Sequence, residues 1–107
     1  MSYSKYRAKP TTVDGIRFDS KREAAHYGEL KLRQLAGEIT GLECHPRFEI
    51  VVNGVRACVY EADFQHRENG RLVISDVKSK PTKTPVYRLK IKLLKILFPD
   101  LEHREVA

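Results

Sequence analysis

Only two cysteines occur among the 107 residues, too few for a disulfide scaffold. Cys44 and Cys58 therefore suit a reducing compartment. No apolar run approaches the roughly 20 residues of a membrane span. The opening segment MSYSKYRAKP carries no apolar leader, which points away from secretion and toward the cytoplasm. Cys44, His45, Cys58 and His66 lack the close paired spacing of zinc sites and read as core or surface residues. There is no glycine-rich phosphate loop, and no serine or cysteine triad is apparent.

What the chain does have is positive charge. The formal balance of +6 attracts polyanions, of which nucleic acid is the commonest. A composition of 41% hydrophobic and 32% charged residues is that of an ordinary globular protein, and the length allows one modest core. Residues 1–12 read as a basic arm carrying Lys5, Arg7 and Lys9, and residues 13–107 as a single domain.

Ser20-Lys21-Arg22-Glu23 matches a capping box and predicts a helix that ends before Gly37. At 100° per residue Ala24, Tyr27, Gly28, Leu32, Leu35 and Ala36 share an apolar arc. Arg22, His26, Glu29 and Arg33 fall on the solvated side, and Glu23 lies at the apolar margin. Strands are expected at 47–52, 55–64 and 71–78, with Asn53-Gly54 and Asn69-Gly70 as hairpin turns. Thr84 and Pro85 open a second helix that stops before Pro99. Its apolar surface is read as Val86, Leu89, Leu93, Leu94 and Leu97, with Lys90 among them, snorkelling to water or reaching the catalytic face. EHREV at 102–106 predicts a last strand. The order implies an α/β fold, a mixed sheet flanked by two helices.

The chemistry is concentrated in YEADFQHRENGRLVISDVKSK, residues 60–80. A two-residue loop at Asn69-Gly70 sets Glu68 against Arg71, Phe64 against Ser75 and Asp63 against Asp76. Opposed residues share a face, and like charges there are destabilising. Two adjacent carboxylates are tolerated if one keeps its proton or a cation sits between them. Hard divalent ions such as Mg2+ take such oxygens. Lys78, two residues after Asp76, points to the same face and can orient water or stabilise charge on phosphate. The same register sets Glu61 against Lys78 as a cross-strand ion pair, favoured over Glu61 as a ligand.

Asp63 with Asp76-Val77-Lys78, behind a helix carrying Glu23, resembles the PD-(D/E)XK nuclease signature. FDSKREAAHYGELKL, ITGLE, YEADF, ISDVKSK and FPDLEHREV resemble a family of small phage and prophage proteins assigned to that superfamily. The resemblance implies a restriction-endonuclease-like α-β-β-β-α-β core and hydrolysis of DNA phosphodiesters with Mg2+ or Mn2+. It implies Asp63 and Asp76 as metal ligands, joined by the Val77 carbonyl and completed by Glu23, with Lys78 on the hydrolytic water. The superfamily's proline before the first aspartate is replaced here by Ala62. A homodimer is expected for cutting both strands, with branched or junction DNA as a substrate class by analogy. Lys80, Lys83, Arg88, Lys90, Lys92 and Lys95, with the arm residues Lys5, Arg7 and Lys9, are candidate phosphate contacts. Glu23 has a second reading as the capping-box partner of Ser20, and the two roles can coexist. A DNA-binding module with little or no cleavage is the alternative function.

Overall fold

The computed structural model describes residues 9–78 and 83–107. A small hairpin comes first, β1 (Thr11–Val13) and β2 (Ile16–Phe18), turning at Asp14-Gly15. Helix α1 (Lys21–Leu35) follows, then β3 (Thr40–Cys44), β4 (Arg47–Val52), β5 (Val55–Glu61), β6 (Phe64–Glu68) and β7 (Arg71–Val77). Helix α2 (Pro85–Leu97) and β8 (Glu102–Val106) complete the chain. The main sheet has the order β3-β6-β7-β8, and it is mixed, because β8 runs parallel to β7 while the other neighbours are antiparallel. The protein is thus α/β, with two helices and a mixed sheet.

Both Asn-Gly turns form as expected. Asn53 and Asn69 take φ of 51° and 52° and their glycines 78° and 77°, the left-handed pair that a two-residue hairpin loop demands. The strand boundaries differ from expectation, however. The predicted strand 55–64 is broken at Ala62-Asp63, opposite a second break at His45-Pro46. The two breaks remain bonded to each other, His45 N–H to Asp63 O at 2.9 Å and Ala62 N–H to Pro46 O at 3.0 Å. Five strands lie between the helices rather than three, since β3 is added and the long strand is divided. Strands β4 and β5 form a separate two-stranded sheet.

Side chains alternate faces along β7, and this divides the core. On one face Phe64, Val77 and Ile39 pack with Ala24, Tyr27 and Leu30 of α1. On the other, Ile74 packs with Tyr87, Ile91 and Leu94 of α2 and with Ile50 and Tyr60 of the β4–β5 hairpin. Each helix buries only part of the arc read off the sequence, Ala24 and Tyr27 in α1 and Leu94 in α2. Leu32 and Leu35 of α1 are exposed, and His26, expected in solvent, lies edge-on to the Phe64 ring at 5.5 Å. In α2 Val86, Leu89 and Leu97 are exposed while Tyr87 and Ile91 are buried. That helix carries apolar residues on most of its sides, so the choice of face falls to its polar tips. Tyr87 O–H finds Glu105 at 2.7 Å and Lys90 Nζ finds the Val59 carbonyl at 2.9 Å.

Beyond the core, Glu68 ties α1 to β6 and β8. Its carboxylate accepts from Arg104 at 3.1 and 3.2 Å, from Arg33 at 3.0 Å, and meets His66 Nε2 at 3.1 Å. The bonds from Arg104 hold its pKa down at about 2, against an ordinary 4.5. A carboxyl depressed in the folded state contributes stability that is complete above its unfolded value and lost as pH falls through its folded one. Urea titrations should therefore show stability falling from about pH 5 toward pH 2, and Glu68→Gln should flatten that limb. An unchanged acid limb in the variant would contradict this assignment.

Candidate functional site

The site lies where the β6–β7 ladder ends. Backbone pairing runs from Glu68↔Arg71 to Phe64↔Ser75, the register expected from the turn. One step further, Asp63 stands opposite Asp76 and the side chains replace the ladder. Asp76 Oδ1 accepts from the Asp63 backbone N–H at 3.0 Å, and Asp63 Oδ2 accepts from the Val77 N–H at 2.7 Å. Each aspartate thus closes the backbone of the opposite strand. A strand residue's N–H and C=O leave on the same edge, so the Val77 carbonyl also turns toward the Asp63 strand.

Asp76 is buried, 1% exposed. Its Oδ2 accepts from Tyr60 O–H at 2.6 Å and lies 2.9 Å from His103 Nε2. Since a carboxylate only accepts, the histidine nitrogen donates. Asp63 is less enclosed, and burial raises its pKa from 3.8 to about 7 despite the Val77 N–H. The neighbouring Glu23 and Asp76 charges add to the rise and Lys78 opposes it. The other three residues singled out in the sequence therefore all act on the Asp63 charge.

Glu23 sits in the first turn of α1 and is 5% exposed. Its backbone N–H donates to Ser20 Oγ at 3.1 Å, the forward half of the capping box. Its carboxylate is turned elsewhere, with Oε1 2.9 Å from His45 Nε2. His45 holds a φ of 55° and also donates its N–H to Asp63 O, so one residue bridges the helix to the first aspartate. Lys78 N–H donates to Val106 O, and its Nζ lies 4.9 Å from the centroid of the Tyr87 ring. The cation thus stays on the Asp76 face of the sheet.

Several expectations need correction. Glu61 does not pair with Lys78. It belongs to β5, is aligned with Arg47 and lies 3.7 Å from that guanidinium at an exposed position. The break at Ala62-Asp63 separates it from the β6–β7 register. Lys90 neither snorkels nor reaches the site, because its ammonium is bound to the Val59 carbonyl. Lys83 is paired with Glu105 at 3.1 Å. Arg88, Lys92, Lys95 and Lys9 are exposed. Lys5, Arg7 and Lys80 lie outside the described residues.

His103, Tyr60, Tyr87 and His45 have no signal of their own in the sequence. His103 reaches Asp76 only because β8 pairs in parallel beside β7, and Tyr60 only because the chain bends after Glu61. Among the described residues, no three His, Cys, Asp or Glu side chains converge into a ready metal-binding group. The donor chemistry nevertheless suits a hard cation. A half-buried Asp63 carboxylate, repelled by two further carboxylates, is relieved by positive charge.

No helix among the described residues is long and apolar enough to cross a membrane. A family model described as "Protein of unknown function (DUF1064)" matches residues 3–107. No curated protein and no solved structure matches the chain.

Proposed function

The chain belongs to the DUF1064 family, and we propose that it is a divalent-metal-dependent deoxyribonuclease with a restriction-endonuclease-like core. The observation that carries this reading is the Asp63 carboxyl at the end of the ladder, bonded across to the Asp76 strand and raised to about 7 by burial and by the charges of Glu23 and Asp76, with Lys78 opposing the rise. Structural carboxylates are ordinarily paired with cations. Here one is held among like charges, as functional sites arrange their acids.

Asp63 and Asp76 would hold Mg2+ or Mn2+ with the Val77 carbonyl, and Glu23 would complete the set, directly or through water. The ion would supply Lewis-acid polarisation of the phosphodiester and a more acidic bound water. The protein's own contributions are positional. Asp63 and Asp76 fix each other through the Val77 and Asp63 amides, so the cradle is set by backbone. Lys78, resting on Tyr87, brings an ammonium to the same face, where it orients the attacking water or meets charge on a phosphate oxygen. Exposed Arg88, Lys92 and Lys95 on α2 offer sequence-independent phosphate contacts. A twofold homodimer would supply the second cut, in the cytoplasm of a phage-bearing bacterial cell.

The second reading, a DNA-binding module without cleavage, draws on the three protein donors that already occupy most of the Asp76 carboxylate. Incubation with supercoiled, linear and four-way-junction DNA separates the two. Cleavage is expected with Mg2+ or Mn2+ and not with EDTA, and Lys78→Ala should lower the rate by roughly a hundredfold or more. Binding without cleavage on every substrate favours the second reading. Cleavage in EDTA sinks the first.

A further inference from the structure

A carboxylate offers about four lone-pair positions, and those of Asp76 are nearly all taken. Oδ2 receives two donors, Tyr60 O–H at 2.6 Å and His103 Nε2 at 2.9 Å. Oδ1 receives one, the Asp63 N–H at 3.0 Å. Among the described residues, what remains is a single position on Oδ1, the oxygen turned toward Asp63. Both donors on Oδ2 are firmly seated. The His103 side chain is 4% exposed, and Tyr60 is in the core. The His103 ring is further confined by Tyr87, whose O–H is 3.3 Å from Nε2 and donates to Glu105 at 2.7 Å.

We propose that His103 and Tyr60 are positioning residues that restrict Asp76 to a one-oxygen contact with a divalent ion and so favour magnesium over calcium. The inference rests on the metal-dependent reading of the site. Mg2+ demands a small, near-octahedral shell and takes carboxylates through one oxygen. Ca2+ takes six to eight oxygens and commonly binds a carboxylate through both. A carboxylate with Oδ2 blocked from behind serves the first geometry and denies the second. The donors also pin the rotation of the Asp76 side chain, so Oδ1 is presented without an ordering cost when an ion arrives. Partners behind a ligand typically govern metal affinity by one to two orders of magnitude.

The test is calorimetric titration of Mn2+ (a spectroscopically convenient stand-in for Mg2+) and Ca2+ into wild type, His103→Leu, His103→Gln and Tyr60→Phe. His103→Leu should weaken Mn2+ binding roughly 10–100-fold. Calcium binding should weaken less, shifting the preference toward Ca2+ by about tenfold. His103→Gln returns an N–H donor to the same place and should recover most of both effects, which mere filling of the core by leucine would not mimic. Should His103→Leu fail to fold, Tyr60→Phe carries the test, since it removes one O–H from the same oxygen and keeps the ring. Wild type that binds ion, with folded variants of unchanged affinity and preference, overturns this inference alone. Wild type that binds neither ion overturns the inference together with the metal-dependent function.

Discussion

Asp63→Asn should make the metal-free protein more stable at pH 8 while abolishing its cleavage of DNA. Both effects come from one property. The Asp63 carboxyl is raised to about 7, chiefly by burial and then by the charges of Glu23 and Asp76. An acid whose folded pKa lies above its unfolded one contributes stability that is present below the unfolded value, near 3.8, and is lost as pH rises through about 7. At pH 8 the ionised group is therefore a liability of order 1–3 kcal/mol, allowing for relaxation around it. Asparagine is neutral at every pH, and its carbonyl oxygen can still accept the Val77 N–H. In EDTA the variant should melt several degrees higher at pH 8, with the difference shrinking as pH falls through about 7 and vanishing only below the unfolded value near 3.8. Millimolar Mg2+ should raise the melting temperature of wild type and not that of the variant. Cleavage should drop by roughly a thousandfold or more. A variant less stable than wild type at pH 8 in EDTA would show that Asp63 is a structural acceptor rather than a site held ready for a cation.

How much of this is legible in the sequence depends on the range of the interactions involved. The Asn69-Gly70 turn is local, and its two left-handed residues set a register that carries five pairs along the hairpin to Phe64↔Ser75. From there the opposition of Asp63 and Asp76 follows by counting. The caps Ser20 and Thr84 are local too, and both accept from the third helical N–H as their sequences promise. What stays hidden is the long-range fit of elements. Nothing in VYEADF announces a break at Ala62-Asp63, because the break is sustained by its bonds to His45 and Pro46 across the pair. Glu61 leaves the expected register for this reason alone. The helix faces are hidden similarly. Ala24, Tyr27 and Leu94 are buried as the apolar period suggests, but Leu32, Leu35, Val86 and Leu89 satisfy it equally and are exposed, while Tyr87, off the expected surface, is buried with its O–H on Glu105. His103 is remote from Asp76 in the chain and meets it only through the parallel pairing of β8 with β7.

Asp76→Ala should have the opposite effect on stability from Asp63→Asn, costing roughly 3–5 kcal/mol at neutral pH. The methyl group leaves three donors without an acceptor, Tyr60 O–H, His103 Nε2–H and the Asp63 N–H, in a place where Asp76 itself is 1% exposed. Each unsatisfied buried donor costs about 1–3 kcal/mol, reduced where water can enter the space vacated by the carboxylate. Urea unfolding of the metal-free protein should show the midpoint falling with little change in slope. A loss below about 1 kcal/mol would mean that the donors find other partners and that Asp76 is not held as described. The difference in sign is what makes the two aspartates informative together. If they were an equivalent pair of ligands, removing either charge would relieve the same repulsion and stabilise the metal-free protein. The geometry instead divides the work. Asp76 is fixed by protein donors and serves as the immobile wall of the cradle, while Asp63 carries the unrelieved charge that a cation would neutralise. A site built this way gives up stability at one residue and recovers rigidity at the other, and both substitutions should abolish cleavage for different physical reasons.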